Sequence, residues 1–294
     1  MFSVDELLSK KNQRLAFAHL KAKRDGRGSD GMQLSELENY WKLNGERISE
    51  EIRNGTYSPG VIENYEIVNG KGKRRIISNL AIVDRFITRL LSQKLRRYLE
   101  PEFYANSFAY QENKGILDAI ALAQRYLQEG KCVLVEIDLK DYFDTISIER
   151  ILEILQEKIT DAAVMQLVKE YLFCRIKNNN HIENKTIGLV QGNSISPILS
   201  NLYLHQMDVF LQNQGYCWMR FADNIYIYEE DKFRAVEIYN LLCEKIIDEY
   251  RLQINSSKSG VYDAFERSVL GYEFSQKNKK VEARKLNYQR QQVY

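Results

Sequence analysis

The chain has 294 residues, 44% hydrophobic and 28% charged, with only three Pro, the profile of a soluble globular protein able to bury a sizeable core. No apolar run approaches the ~20 residues of a membrane span, and Met1-Phe2-Ser3-Val4-Asp5-Glu6 lacks the regions of a signal peptide, so a cytoplasmic protein without a membrane partner is expected. Cys132, Cys174, Cys217 and Cys243 form no CxxC pair and His19, His181 and His205 are isolated, which argues against zinc, disulfides and a histidine metal site.

The net charge of +2 hides a segregation. Residues 71–97 hold nine Lys or Arg against Asp84, residues 11–27 hold six against Asp25, and the tail 276–294 holds six against Glu282. Residues 100–170 hold fourteen acids and seven bases. An acidic centre flanked by basic surfaces suits a polyanionic substrate, although a basic run taken alone is more often a solvated helix face.

In chain order, hydrophobic spacing predicts helices over 2–23 and 33–53, separated by a Gly- and Asp-rich loop at 25–31. A hairpin follows between Gly60 and Ile77, with Asn69-Gly70-Lys71-Gly72 as its turn. Helices are expected at 80–99 and 114–129, a strand at 132–139, helices at 147–158 and 161–173, and a turn at Asn178-Asn179-Asn180. A glycine-bearing loop leads through Pro197 into a helix ending near 213. A hairpin at 216–229, a helix at 232–250 and short strands at 253–255, 260–263 and 268–274 complete the chain. This order fits an α+β fold in which helices back an antiparallel sheet.

Two of these segments carry the chemistry. Asp138 ends the strand Val135-Glu136-Ile137-Asp138, and Asp223 sits in the turn of Phe221-Ala222-Asp223-Asn224. Strand pairing would set the carboxylates side by side, as needed to hold divalent metal for phosphoryl transfer. Mg²⁺ wants oxygen ligands, and the main-chain carbonyl of Leu139 could supply another. Alone, Asp138 reads equally as a cap and Asp223-Asn224 as a hairpin turn. Both segments in this order, with Gly188-Leu189-Val190-Gln191-Gly192-Asn193-Ser194-Ile195-Ser196-Pro197 between them, favour the metal site.

These motifs together resemble a bacterial reverse transcriptase of the group II intron-like lineage, over about residues 20–275. Asp138-Leu139-Lys140-Asp141-Tyr142-Phe143-Asp144 resembles that family's first catalytic motif, the Gln191-Gly192 loop its nucleotide pocket, and Phe221-Ala222-Asp223-Asn224 its YADD box. Leu252-Gln253-Ile254-Asn255-Ser256-Ser257-Lys258-Ser259 and Leu270-Gly271-Tyr272-Glu273-Phe274 resemble the family's next two motifs. Gly28-Ser29-Asp30-Gly31-Met32 resembles the N-terminal extension of intron-like and CRISPR-associated enzymes, and Arg75 with Ile82-Val83-Asp84-Arg85-Phe86-Ile87 resembles the fingers.

The resemblance implies a right-hand polymerase fold with the thumb absent or truncated. Its parts would be an N-terminal helical extension (1–60), fingers (61–130), a palm (131–275, with a fingers-like insertion at about 147–187) and a basic tail or linker (276–294). It implies two Mg²⁺ ions, with Mn²⁺ as a substitute, held by Asp138, Leu139 and Asp223, with Asn224 in the catalytic set. Lys73, Arg75, Phe143, Gln191, Gly192 and Lys258 would contact the nucleotide. Phe143 would act as the gate against a ribose 2′-OH, although read alone it is equally a core aromatic. Implied partners are an RNA template, a DNA or RNA primer, dNTPs and a CRISPR integrase complex, in spacer acquisition from RNA. Stand-alone phage defence and a truncated intron maturase are the other settings.

The chain departs from the family at Asn224, where a second Asp is usual, and at Gln111, where intron enzymes usually carry Arg. The Asn carbonyl can still coordinate Mg²⁺, but one negative charge is lost. The alternative reading is therefore a catalytically weakened polymerase-fold module that binds nucleic acid and docks a partner protein.

Overall fold

The computed structural model describes residues 2–22, 26–68, 74–179, 181–277 and 280–286. In chain order they form α1 (Val4–Leu7), α2 (Lys10–Lys21), α3 (Leu37–Arg53), β1 (Ile62–Val68), β2 (Arg74–Asn79), α4 (Ile82–Leu99), α5 (Ile116–Gln128) and β3 (Val133–Asp138). Next come α6 (Tyr142–Thr145), α7 (Ile148–Gln156), α8 (Ala162–Leu172), β4 (Arg175–Asn178), β5 (His181–Asn184), α9 (Ser196–Asn213), β6 (Cys217–Phe221), β7 (Asn224–Glu229), α10 (Lys232–Asp248), β8 (Gly260–Asp263), β9 (Tyr272–Lys277) and β10 (Lys280–Lys285). The α+β class is as expected. The chain divides into two compact units, Met1–Glu102 with Phe143–Tyr203, and Phe103–Tyr142 with Leu204–Tyr294.

The first unit is built on α4, whose Phe86, Ile87, Leu90, Leu91, Leu95 and Leu99 are fully buried. Phe17 of α2 and Trp41 of α3 pack on Phe86 with ring centroids 4.3 and 4.6 Å away. The single helix expected over 2–23 is two helices. Ser9 leaves helical geometry at ψ 144°, and its hydroxyl accepts from the Asn12 N–H at 3.4 Å, starting α2 afresh as Ser3 starts α1. The Gly28-Ser29 loop anchors this layer to the chain just before β1 and just before α4. The Ser29 hydroxyl donates to the Val61 carbonyl at 2.8 Å and its N–H to the Leu80 carbonyl at 3.3 Å. A Cβ at Gly28 would lie 2.7 Å from the Ile82 nitrogen, so only glycine permits this approach.

The sheet of the first unit has the order β2-β1-β4-β5. β1 and β2 are the expected hairpin, and its Asn69-Gly70-Lys71-Gly72 turn lies outside the described residues. β4 and β5 flank the expected Asn turn but are strands that hydrophobic patterning did not reveal, since β5 is exposed throughout. One end of the sheet is apolar, with Ile62, Leu80, Cys174, Ile176 and Val190 forming a small core.

The second unit carries the antiparallel sheet β6-β7-β3-β8. On one face, Leu134 of β3 and Met219, Tyr226 and Tyr228 of β6 and β7 pack with Ala119, Ile120, Ala123 and Leu127 of α5. The alternate residues Val135, Ile137, Ile225 and Ile227 are buried on the other face, and α10 packs against β3, β7 and β8. Two strand expectations are corrected. The strand at 253–255 is only a bridge between Ile254 and Leu139, and that at 268–274 is shifted to β9. β9 pairs with β10, which lies in the segment expected to be a basic tail. Val281 and Ala283 of β10 pack against the α5 core, an alternation masked by the charges between them.

Candidate active site

The site is laid down by strand register. Leu134, Glu136 and Asp138 share one face of β3 and stand opposite Tyr228, Tyr226 and Asn224 of β7. That face therefore runs from apolar core to acid within three residue pairs. The Leu139 N–H donates to the Asp223 carbonyl at 3.4 Å, so the turn that carries Asp223 abuts the strand end that carries Asp138.

Ala222 and Asp223 are the two turn residues between β6 and β7, and Ala222 takes φ +55°. A positive φ at that position is what twist-matching primed turns require, and glycine ordinarily supplies it. A fully buried Arg220 holds the strained turn. Its Nη1 donates to the Ala222 carbonyl at 2.9 Å, and its Nε and Nη2 reach the two carboxylate oxygens of Asp208 at 2.7 and 2.6 Å. Nη2 also donates to the Ser107 hydroxyl at 2.9 Å. The planar guanidinium thus ties α9, the 107 loop and the turn together through a bidentate pair. Arg220 and Asp208 were not singled out from sequence. The available signal was an acid, Asp208, in the run Met207-Asp208-Val209-Phe210-Leu211.

Asp138 is buried and highly bonded. Lys258 Nζ donates to its two carboxylate oxygens at 3.2 and 3.0 Å, and Asn255 Nδ2 donates to Oδ1 at 2.9 Å. The Asp138 N–H donates to Ser259 Oγ at 2.9 Å, and its carbonyl accepts from the Asn255 N–H at 2.9 Å. The segment 252–259 thus clamps the strand end. Burial raises the Asp223 carboxyl above the ordinary carboxylate range; a backbone hydrogen bond lowers it, the nearby Asp138 charge raises it, and Lys258 and Arg220 lower it. Asn224 Nδ2 lies 3.4 Å from Asp223 Oδ1. Beside them Glu136 accepts from Arg267 Nε at 2.6 Å, and Arg267 stacks over Tyr262 at 4.3 Å and donates to the Lys258 carbonyl at 3.0 Å. Burial raises Glu136 too, against its bond to Arg267.

Structure thus brings Asp138, Leu139, Asp223, Asn224 and Lys258 together within the second unit. Phe143, Gln191 and Gly192 belong to the first unit. Phe143 is half-buried on α6, and its carbonyl accepts from the Leu189 N–H at 2.6 Å. The Gln191 carbonyl accepts from the Ser78 N–H at 3.1 Å, and Gly192 has φ +102° with a hypothetical Cβ 2.9 Å from the Ser78 carbonyl oxygen. Only glycine lets this loop lie flat on β2. Arg75 is on β2 opposite Ile67, and Lys73 falls outside the described residues. Gln111 Nε2 donates to the Ser107 carbonyl at 2.7 Å, and its Oε1 accepts from Lys114 at 3.1 Å.

The donor set of the clustered residues is all hard oxygen: two carboxylates, an amide carbonyl and main-chain carbonyls. Among the described residues no group of three or more His, Cys, Asp or Glu could cage a metal alone. The oxygen donor set itself suits a divalent cation held by one or two carboxylates and completed by substrate phosphates.

Residues 63–274 match the reverse transcriptase (RNA-dependent DNA polymerase) family, and the chain belongs to it. Members of this family generally use divalent metal ions. The COX1/OXI3 intron 2 protein of Saccharomyces cerevisiae is 28% identical over 252 residues, covering 83% of this chain and 27% of that protein. The group II intron-encoded protein LtrA of Lactococcus lactis subsp. cremoris is 26% identical over 166 residues, covering 56% of this chain and 28% of that protein. The first three curated relatives it matches are spanned over only 22–50% of their length. In fold, the chain is similar to telomerase from Candida albicans, solved with a fragment of telomeric RNA, with a TM-score of 0.59 and 13% identity over 83% of this chain and 50% of that one. No helix among the described residues is long and apolar enough to cross a membrane.

Proposed function

We propose that the chain is an RNA-directed DNA polymerase that extends a primer 3′-OH with dNTPs. The primer oxygen attacks the α-phosphorus and pyrophosphate leaves. The observation that best supports this is the register that sets Asn224 opposite Asp138 and binds the Asp223 carbonyl to Leu139, gathering two carboxylates at one strand end. Asp138, Asp223, the Asn224 carbonyl and the Leu139 carbonyl are the groups that would hold two Mg²⁺ ions, or Mn²⁺ in their place. When bound, the ions supply charge stabilisation at the attacking and leaving oxygens. Arg220 fixes the turn, and Asn255 and Ser259 fix Asp138, so the carboxylates are held in place before substrate arrives. Lys258, exposed beside Asp138, supplies positive charge toward the leaving pyrophosphate. Gln191 and Gly192 present backbone to the nucleotide, Phe143 stands against a 2′-OH, and Lys73 and Arg75 neutralise the triphosphate.

The test is primer extension on an RNA template. Asp138→Ala and Asp223→Ala are each expected to lower the rate at least a hundredfold, the scale of losing preorganised charge at the reacting centre (about 10²–10³). Extension unaffected by either change would end the reading. The weakened docking module is favoured by one observation, the uncharged Asn224 where a charge would face Asp138. It predicts no extension by the natural chain and a biological function that survives Asp138→Ala. For the setting, we propose spacer acquisition beside a CRISPR integrase, on resemblance to the lineage and not on a motif of this chain; a gene neighbourhood without an integrase would remove it.

A further inference from the structure

Helix α10 lays one apolar stripe on its own sheet and leaves a second uncovered. Ala235, Ile238, Leu242 and Ile246 are buried, at the spacing of a single helix face, and α10 packs on β3, β7 and β8. Phe233 and Ile247 are nevertheless 73% and 54% exposed, and Val236 is exposed as well. Exposed apolar residues scattered singly are ordinary, but these three fall in one register. With Phe233 at the first core position of a seven-residue repeat, Val236, Asn240, Cys243 and Ile247 take the core positions that follow, at steps of three and four. That is the spacing of a seam between two helices, carried on a continuous helix from Lys232 to Asp248. Asn240 is exposed and Cys243 half-buried, so the stripe is open along its length. Leu241, also exposed, lies off it.

The polar residues decide what covers this stripe. Glu237, Glu244 and Asp248 are exposed along one border, while the cations Arg234 and Lys245 of the same helix are taken by Glu229 and Glu249 at 3.8 and 2.5 Å. An acidic border disfavours nucleic acid. A second copy of α10 fits if it runs parallel. Parallel pairing sets each core position against its own counterpart, so Asn240 meets Asn240 and the two amides bond each other. It also sets Lys232 of one copy beside Glu237 of the other, twice by symmetry. Antiparallel pairing would oppose Glu237 to Glu244 and set Asn240 against Val236 or Cys243, leaving the amide without a partner. One Asn at a core position fixes register and strand number at a cost in stability. The seam from Phe233 to Ile247 is about 21 Å long at 1.5 Å per residue. Such a length falls short of the roughly 1,200 Å² of a stable interface, so the pair is weak and reversible.

We propose that the open stripe of α10 is a self-association surface, through which two copies of the chain pair by parallel α10 helices. The test uses the full chain in sedimentation velocity over a concentration series. The average mass is expected to rise with concentration from 34.6 kDa toward twice that value. Phe233→Glu combined with Ile247→Glu changes only exposed positions, so the fold is kept, and it should weaken pairing at least about tenfold. Asn240→Val removes the polar pair from the seam and should tighten association. Direction is read separately, by oxidation with copper–phenanthroline, which joins facing thiols. In the parallel pair Cys243 faces Cys243, so the natural chain should give a disulfide-linked dimer that Cys243→Ser abolishes. Cys132 and Cys217 remain in that variant as internal controls. A chain that stays at 34.6 kDa throughout overturns the proposal, as does a dimer that survives the double Glu variant. Association unmoved by Asn240→Val, or a crosslink that persists in Cys243→Ser, places the contact elsewhere and overturns it equally.

Discussion

At the scale of single residues, the two side chains that matter most for geometry were not legible in the sequence. Asp138 and Asp223 stand out because their neighbours form recognisable motifs. Arg220 does not, because its role depends on Asp208 and Ser107, which meet it only in the folded chain. A buried ion pair stripped of one partner leaves an uncompensated charge, which costs about 3–5 kcal/mol. Arg220→Met should therefore lower unfolding free energy in urea by about that amount, and combining it with Asp208→Leu should cost less than the sum. Strict additivity would mean the pair is not coupled. Asn224 leads to a different expectation. Its amide points a donor at Asp223, 3.4 Å away, and Asn224→Asp would replace that donor with a third negative charge. In chelator the variant should lose about 1 kcal/mol of stability, equivalent to a pKa shift of about one unit. Mg²⁺ should then raise its melting temperature more than it raises that of the natural chain. Equal responses to Mg²⁺ would show that residue 224 does not face the cation.

At the scale of elements, long amphipathic helices and the two hairpins that carry turn signals were legible to within a few residues. What failed was local. The break at Ser9 is a capping choice inside an otherwise continuous helical pattern, and β5 and β10 are exposed or charge-interrupted strands with little periodicity. Helix α4 shows how an element gains a constraint no pattern predicts. Its first turn buries Asp84, whose carboxylate accepts from the Tyr57 and Tyr171 hydroxyls at 2.7 Å each and the Gly60 N–H at 2.9 Å. Burial nevertheless dominates and raises the Asp84 pKa above the ordinary 3.8, against those hydrogen bonds. A carboxyl whose folded pKa exceeds its unfolded value binds its proton more tightly when folded. Its contribution to stability is then present at low pH and lost as pH rises through the folded value. The stability of the natural chain relative to Asp84→Asn should accordingly decline as pH rises above 3.8, and level off once Asp84 is ionised. Urea midpoints of the two proteins across the acid range measure this directly, and a rising difference would show that the three donors outweigh burial.

At the scale of the whole molecule, the segregation of charge is real in the sequence, but the structure reduces the number of cations free to meet nucleic acid. Arg85 commits its guanidinium to the carbonyls of Leu80 and Arg27, at 3.2 and 3.0 Å. Arg96 pairs with Glu100 at 3.0 Å, with both side chains mostly covered, and Lys21 pairs with Glu38 at 2.8 Å. Lys10, Lys11 and Arg14 differ: they lie exposed on α2, whose Ala16 and Leu20 are buried. If the chain binds template and primer as proposed, those three are available for phosphates and Arg85 is not. Each phosphate contact contributes a slope of roughly −0.7 to −0.9 to the log–log dependence of affinity on salt, through counterion release. Replacing Lys10, Lys11 and Arg14 together by Gln should weaken binding at low salt and flatten that slope by about 2 to 3. Arg85→Gln should leave the slope alone and lower stability instead, since two carbonyls lose their donor. Titrations of a labelled RNA at several salt concentrations read both effects. A slope that changes with Arg85 and not with the α2 triple variant would place the nucleic acid on the other basic cluster and detach α2 from binding.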